Sequence, residues 1–383
     1  MKIAIDARWI FREISGIGAY TRELIRHLAR LDRDNTYVLL FNDPAIRDRT
    51  LAETGLAAAP NFAAARVPYG VFSPLSQLLL PLRLARERVD LYHSPNYLIP
   101  LPAFPRRPRR MKCAVTIHDV IPLLFPGHAP RSRKARLFPL YRRLMLEVGA
   151  RADLVITDSL AARADTIRHL RIPPDREDKV RAVYCGVSER FRPPAARPPK
   201  DDRTPRSLLY VGRSDPYKRL PTLIHAVAEA AQACAFPLVL TIAGTPDPRY
   251  PEARQAAAQL GIQDAVRWTG YVSDDDLLAL YQQADVLVHP SRYEGFGLPV
   301  VEAMACGVPV ICSSAGALPE VAGDAASLLA PDDVPEFARR IAAVLSTPAL
   351  AAEMSRKGLR QAAQFTWSRT AEETLRLYEG LAR

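Results

Sequence analysis

The sequence predicts an α/β protein built from two doubly wound parallel-sheet domains. Short apolar runs of strand length alternate with longer amphipathic stretches, first through the amino half and again through the carboxyl half, and such alternation signals parallel strands joined by helical crossovers. A stretch rich in proline and poor in apolar residues, Phe191 to Asp202, separates the two series. The chain's 383 residues exceed what one core usually serves, and a hydrophobic fraction of 48% is enough to fill two.

In the first series the expected strands are Lys2–Asp6, Tyr37–Phe41, Leu91–His93, Cys113–His118 and Leu154–Thr157, with helices at Ala19–Arg30, Leu75–Glu87, Arg133–Ala150 and Leu160–Leu170. The second runs through Ser207–Val211, Leu220–Ala233, Leu238–Gly244, Pro251–Leu260, Val266–Thr269, Asp274–Gln283, Asp285–His289, Pro299–Cys306 and Val308–Cys312 to a helical region from Pro335. The expected organisation is an amino-terminal domain over residues 1–190, a linker over 191–206, a carboxyl-terminal domain over 207–365 and a last helix over 366–383 packing back toward the first domain. Ligands of such sheets collect beyond the carboxyl ends of the strands, so the two domains are expected to face each other across a cleft that holds the site.

Charge divides unevenly. Residues 1–190 carry 32 Lys+Arg against 19 Asp+Glu, whereas the whole chain has a net charge of +11, so the amino half holds the entire excess. Arg106, Arg107, Arg109, Arg110, Arg131, Arg133, Lys134 and Arg136 concentrate it. Nucleic acid, an anionic membrane face or an anionic lipid-linked substrate would each suit such a cluster, and no nucleic-acid motif accompanies it. From Arg131 to Val148 the apolar residues Phe138, Tyr141, Met145 and Val148 recur at helical spacing, with Leu137, Leu140 and Leu144 widening the stripe and Pro139 placed to kink it, as in an interfacial helix. No run of 18 apolar residues is present and Met1 leads directly into a strand pattern, so a cytoplasmic protein, peripheral on the inner face of the plasma membrane, is expected. The five cysteines are scattered without a C-x-x-C pair, which argues against a zinc site or a disulfide framework.

The most informative segment is Tyr293-Glu294-Gly295-Phe296-Gly297-Leu298-Pro299-Val300-Val301-Glu302. It follows the apolar run Ala284 to Pro290, and Pro299 suits a first helical turn, so the Gly-Phe-Gly amides open a helix amino end. Free N–H donors and the positive end of the dipole can hold phosphate there. Carboxylates repel phosphate but accept from sugar hydroxyls, so one glutamate suits a transferred sugar and the other a ribose diol. Three further loops follow strands. Gly16-Ile17-Gly18 precedes the first helix, His118-Asp119 ends the fourth strand, and Arg213 and Lys218 follow Leu208–Gly212, where two cations would stabilise charge building on a departing diphosphate. Ser273-Asp274-Asp275-Asp276 reads as a helix cap rather than a metal site.

Together these motifs resemble family 4 of the retaining glycosyltransferases, with the GT-B architecture of two Rossmann-like domains. Thr116-Ile117-His118-Asp119, Val155-Ile156-Thr157-Asp158-Ser159, Tyr184-Cys185-Gly186-Val187, Ile242-Ala243-Gly244, Gly270-Tyr271-Val272 and Ala303-Met304-Ala305-Cys306-Gly307-Val308-Pro309 extend the match over nearly the whole chain. The resemblance implies that Arg213 and Lys218 bind the donor diphosphate, Glu294 contacts the transferred sugar and Glu302 the ribose. It implies further that amides around Gly295, Phe296, Gly297 and Leu298 hold phosphate or sugar, that Gly270, Tyr271 and Val272 line the base, and that His118 with Gly16 and Gly18 faces the donor sugar. It implies retention, no metal or other cofactor, a nucleoside-diphosphate sugar donor with GDP-mannose favoured, and a glycan or polyprenyl-diphosphate-linked acceptor. Where many relatives carry lysine followed by glycine or asparagine, this chain has Lys218-Arg219, which sets an extra arginine beside the expected diphosphate site. A nucleotide-sugar epimerase of the same architecture and a non-catalytic membrane- or glycan-binding relative are the competing readings.

Overall fold

The computed structural model describes residues 1–13, 16–107, 109–126, 136–196 and 200–382. They divide into two units, one of Met1–Leu124, Leu137–Gly186 and Thr366–Arg383, the other of Phe125–Arg136 and Val187–Phe365.

The first unit is a 7-stranded parallel sheet. Its strands are β1 (Lys2–Ile5), β2 (Thr36–Phe41), β3 (Phe62–Arg66), β4 (Leu91–Ser94), β5 (Lys112–Ile117), β6 (Leu154–Thr157) and β7 (Val180–Ala182), in the order β3-β2-β1-β4-β5-β6-β7. All five expected strands form. β3 and β7 were not anticipated: β3 is Phe-Ala-Ala-Ala-Arg, mostly small residues with a half-exposed face, and β7 spans three residues, so neither carries a hydrophobic period. The core is packed from Val38, Leu40, Tyr92, Val115, Ile117, Met145, Val148 and Val155. Tyr141, Met145 and Val148 are buried in it with Phe138 and Leu144 packed alongside, so this part of the stripe read as interfacial is the core face of helix Phe138–Arg151, whereas Leu137 and Leu140 are exposed. Arg131, Arg133 and Lys134 lie outside the described residues. The last helix, Trp367–Ala382, packs on helix Gly16–Leu31 in this unit.

The second unit is a 6-stranded parallel sheet of β8 (Arg206–Val211), β9 (Leu238–Ala243), β10 (Val266–Gly270), β11 (Val286–His289), β12 (Val310–Ser313) and β13 (Ala326–Leu329), in the order β10-β9-β8-β11-β12-β13. Leu208, Leu223, Ile224, Leu240, Val286, Val288, Ile311, Phe337 and Ile341 form its core. The proline-rich stretch read as a linker lies along this unit: Phe191 packs edge-on against Tyr281 at 5.5 Å, Gln282 donates to the Arg192 carbonyl at 2.9 Å, and Lys200 pairs with Asp285 at 2.6 Å. Ser273 accepts from the Asp276 amide at 3.1 Å, the cap that the sequence indicates. Among the described residues no helix is long and apolar enough to cross a membrane.

Candidate active site

In the second unit the carboxyl ends of β8, β9, β10 and β11 converge on one polar cluster. Gly212 donates to the Ala243 carbonyl and Gly244 to that of Gly270, both at 2.9 Å, so three glycines align where adjacent strands end. A Cβ on Gly244, whose φ is +148°, would meet the Gly212 oxygen at 2.0 Å, so only glycine permits this approach.

Lys218 follows β8 in a short helical turn, and its ammonium donates to both carboxylate oxygens of Glu294, at 2.6 and 2.9 Å. His289, the last residue of β11, is fully buried and donates from Nε2 to the same carboxylate at 2.7 Å, while its ring stacks on Tyr210 at 5.6 Å. Burial alone would raise the Glu294 pKa, but Lys218 and His289 outweigh it and hold the carboxyl far below its ordinary value. The backbone is fixed from the far side, where the Ala317 amide donates to the Glu294 carbonyl at 3.0 Å.

Gly297, at φ +102°, begins helix Leu298–Ala305 with no side-chain cap, leaving the amino end to the Gly-Phe-Gly amides. Phe296 is buried and packs edge-on against Phe365. Glu302 lies on this helix and accepts from the Tyr281 hydroxyl at 2.8 Å. Burial raises its pKa to about 7, the Tyr281 hydrogen bond opposing and Asp274 adding to the shift. Arg213 stands apart from Lys218 and Glu294: it is exposed, pairs with Asp215 at 2.9 Å and has Asp247 at 3.9 Å. The additional Arg219 is engaged with Asp332 rather than turned toward Glu294. Tyr271, just beyond β10, is exposed.

In the first unit His118 lies just past β5. Its Nδ1 is 2.6 Å from Asp158 Oδ2 and its Nε2 is 2.9 Å from the Pro95 carbonyl oxygen. Both partners only accept, so both ring nitrogens carry protons and the imidazole is a cation. Burial opposes that charge, and Asp158 outweighs it and raises the pKa. Tyr20 packs edge-on to the His118 ring at 4.9 Å and its hydroxyl is 3.2 Å from Thr116, which is 2.8 Å from His93; His93 in turn meets the Tyr378 hydroxyl at 2.6 Å. Burial lowers the His93 pKa to about 3, so this chain is neutral beside a charged pair. Gly16 and Gly18, read as a loop before a helix beginning at Ala19, instead form the first turn of helix Gly16–Leu31, Gly16 exposed and Gly18 buried.

Of the basic cluster, Arg106 pairs with Glu147 at 2.8 Å, Arg109 with Asp153 at 2.7 Å and Arg110 with Asp90 at 3.5 Å, and Arg106, Arg107, Arg110 and Arg136 are exposed. The sequence reading passed over His289, Tyr281 and Asp158. For His289 and Asp158 the available signal was a polar residue at the end of a buried strand ahead of a loop, whereas Tyr281 lies buried on helix Asp274–Gln283 and carried no such signal.

The profile described as "Glycosyltransferase Family 4" matches residues 14–191 and that described as "Glycosyl transferases group 1" matches residues 193–361. Over its whole length the chain is 30% identical to O-antigen chain mannosyltransferase B of Escherichia coli, covering 99% of this chain and 100% of the other. The chain belongs to glycosyltransferase family 4. Its fold is GT-B: this glycosyltransferase superposes on sucrose-phosphate synthase from Thermosynechococcus elongatus with a TM-score of 0.77 at 22% identity, covering 99% and 98% of the two chains. It superposes on Anabaena HepE, solved in complex with UDP and glucose, with a TM-score of 0.74 at 20% identity, covering 99% and 100%.

Proposed function

We propose that this glycosyltransferase moves mannose from GDP-mannose to a glycan or polyprenyl-diphosphate-linked acceptor in polysaccharide assembly, with retention and without a metal ion. The observation that carries the donor site is the contact of Lys218 and His289 with Glu294 at the ends of β8 and β11. Full-length similarity to an O-antigen mannosyltransferase supports the sugar.

In this reading the donor's diphosphate takes the Lys218 ammonium and the amides at Gly297 and Leu298, and Arg213 swings from Asp215 to join it. Glu294, kept ionised, accepts from the sugar's hydroxyls and stabilises positive charge developing on its ring. Glu302 accepts from the ribose diol. The C–O bond to the departing phosphate breaks as the acceptor oxygen bonds to the same face of the anomeric carbon, and the acceptor's proton passes to a phosphate oxygen. His118 belongs to the acceptor-side unit as a fixed cation, not as a base, since both its nitrogens already donate.

The test is a donor screen by thermal shift followed by transfer assays. A ligand that prefers the native state raises its melting temperature by mass action. GDP-mannose should give the largest shift and should release GDP only when acceptor is present. GDP release or sugar conversion without acceptor would favour an epimerase, and a larger shift and faster transfer with a uridine donor would overturn the choice of GDP-mannose.

A further inference from the structure

Helix Leu80–Arg86 and the turn before it, Leu75–Leu78, are apolar on two sides. Ser76, Leu80 and Leu84 face the core of the first unit. The opposite side shows Leu75, Leu78, Leu79 and Leu82 to solvent at 46%, 65%, 43% and 58% exposure, and Phe72, just upstream, at 68%. The spacing i, i+3, i+4, i+7 is that of one helical stripe, so the exposed leucines form a continuous face rather than scattered surface residues. Trp9, in the turn that follows β1, packs edge-on to Phe72 at 5.5 Å and lies 6.3 Å from Tyr97, which meets Tyr141 at 5.4 Å. Immediately before Tyr141, Leu137 and Leu140 are exposed at 58% and 63%.

In sequence these leucines sit in segments without acidic residues, while in space Asp119 lies near Tyr97 and Tyr141 and Glu87 pairs with Arg83 at the helix end. No Asp or Glu occurs between Glu53 and Glu87 or between Asp119 and Glu147. Arg86, Arg142 and Arg143 are exposed, and among the described residues none has a carboxylate partner, whereas Arg83 is paired with Glu87. A second copy of the chain would set this positive rim against another like it. An anionic lipid surface complements it and offers acyl chain to the leucines.

We propose that Phe72, Leu75, Leu78, Leu79 and Leu82, with Leu137 and Leu140, seat the first unit on an anionic bilayer, Arg86, Arg142 and Arg143 meeting its headgroups. This surface uses other residues than Arg106, Arg109 and Arg110, each of which pairs with a carboxylate, Arg106 and Arg110 while staying exposed. Because Phe72 adjoins Trp9 past the carboxyl end of β1, the seated protein brings that strand edge to the lipid interface, where a polyprenyl-linked acceptor resides. The acceptor's identity rests on the proposed function; the surface does not.

Flotation of the full-length protein with vesicles of phosphatidylglycerol and phosphatidylcholine tests it without donor or acceptor. Wild type should float with anionic vesicles and far less with phosphatidylcholine alone. Leu78→Ser with Leu82→Ser should lower the partition coefficient by about tenfold or more, as loss of two inserted leucines requires. The melting temperature should hold, because both side chains are exposed. Arg142→Gln with Arg143→Gln should weaken binding to anionic vesicles only. Equal flotation of the leucine variant and wild type, no flotation of wild type, or a wild-type dimer that the leucine substitutions dissociate would each overturn the proposal. None of these outcomes bears on sugar transfer, and failed transfer would leave the surface standing.

Discussion

Lys218 and Glu294 form one buried ion pair, the ammonium reaching both carboxylate oxygens at 2.6 and 2.9 Å. The residue expected to hold the diphosphate and the residue expected to hold the sugar are therefore coupled before any donor arrives. Lys218→Met leaves Glu294 with His289 as its hydrogen-bond partner and without the ammonium charge. Breaking a buried pair from one side costs about 3–5 kcal/mol, so the variant should melt several degrees lower and also lose donor affinity. Glu294→Gln keeps two acceptor–donor contacts and should fold, yet lose about 10²–10³ in kcat as charge stabilisation is removed. Steady-state kinetics and melting curves of both variants check this; wild-type kcat in Glu294→Gln would take that carboxylate out of the chemistry.

If Glu302 holds the ribose as proposed, donor binding should depend on pH. Its pKa of about 7, raised by burial, means that as pH falls from 8 to 6 a growing fraction is protonated, losing its charge and exchanging an acceptor oxygen for an O–H donor. Donor KM should rise over that range. Tyr281→Phe removes the hydrogen bond that favours the carboxylate and should shift the rise to higher pH. The stability sign runs the other way. A carboxyl whose folded pKa lies above the unfolded value of 4.5 contributes most below that value, and the contribution is lost as pH rises through about 7. Glu302→Gln should flatten that decline in melting temperature between pH 5 and 8.

How far this molecule could be read from its sequence depends on how each residue acts. Buried parallel strands such as β5 and β11 are near-continuous apolar runs and were legible as such, whereas β3, alanine-rich and half-exposed, gave no period. The segments that carry Glu294, Glu302 and Lys218 stood out because glycines, cations and a helix start fall close in sequence there, the pattern that anion binding needs. His289 was not, because its role arises only when β11 brings it 2.7 Å from Glu294. Helix Phe138–Arg151 misled for a related reason: an amphipathic stripe states that one side is apolar, not whether core or lipid covers it. The leucines of the Leu75–Arg86 stretch show the converse, since an amphipathic helix was expected there and exposed leucines lie opposite the buried Leu80 and Leu84.

His118 should report as a cation. With Asp158 and the Pro95 carbonyl both accepting, nitrogen-15 spectra at pH 7 should show both ring nitrogens protonated. The pair's stabilisation is complete below the ordinary histidine value of 6.5 and is lost as pH rises through the raised one. Asp158→Asn should return the ring to a neutral tautomer at pH 7 and remove that pH dependence from the melting temperature. A neutral ring in wild type would refute the two-donor arrangement.

Because the proposal gives the charge of the departing diphosphate to Lys218 and Arg213, transfer should persist in excess chelator. Arg213→Ala should raise donor KM and lower kcat while leaving the melting temperature near wild type, since Arg213 is exposed at 66% before donor binds. Complete loss of activity on chelation, restored by a divalent ion, would require a metal in the donor complex.

Gly244 lies outside every residue expected to touch ligand, yet its backbone sets the position of the loop that carries Arg213. Alanine there would face both a positive φ and a Cβ 2.0 Å from the Gly212 oxygen, so Gly212 must move. Strain of this kind costs about 1–3 kcal/mol, and part of it is relieved by displacing the diphosphate loop. Gly244→Ala should therefore lower the melting temperature modestly and raise donor KM about tenfold, which about 1.4 kcal/mol of lost binding would produce. Acceptor KM should stay unchanged. A stability loss with unaltered donor KM would mean that the strain relaxes away from Arg213, toward Gly270 and the end of β10.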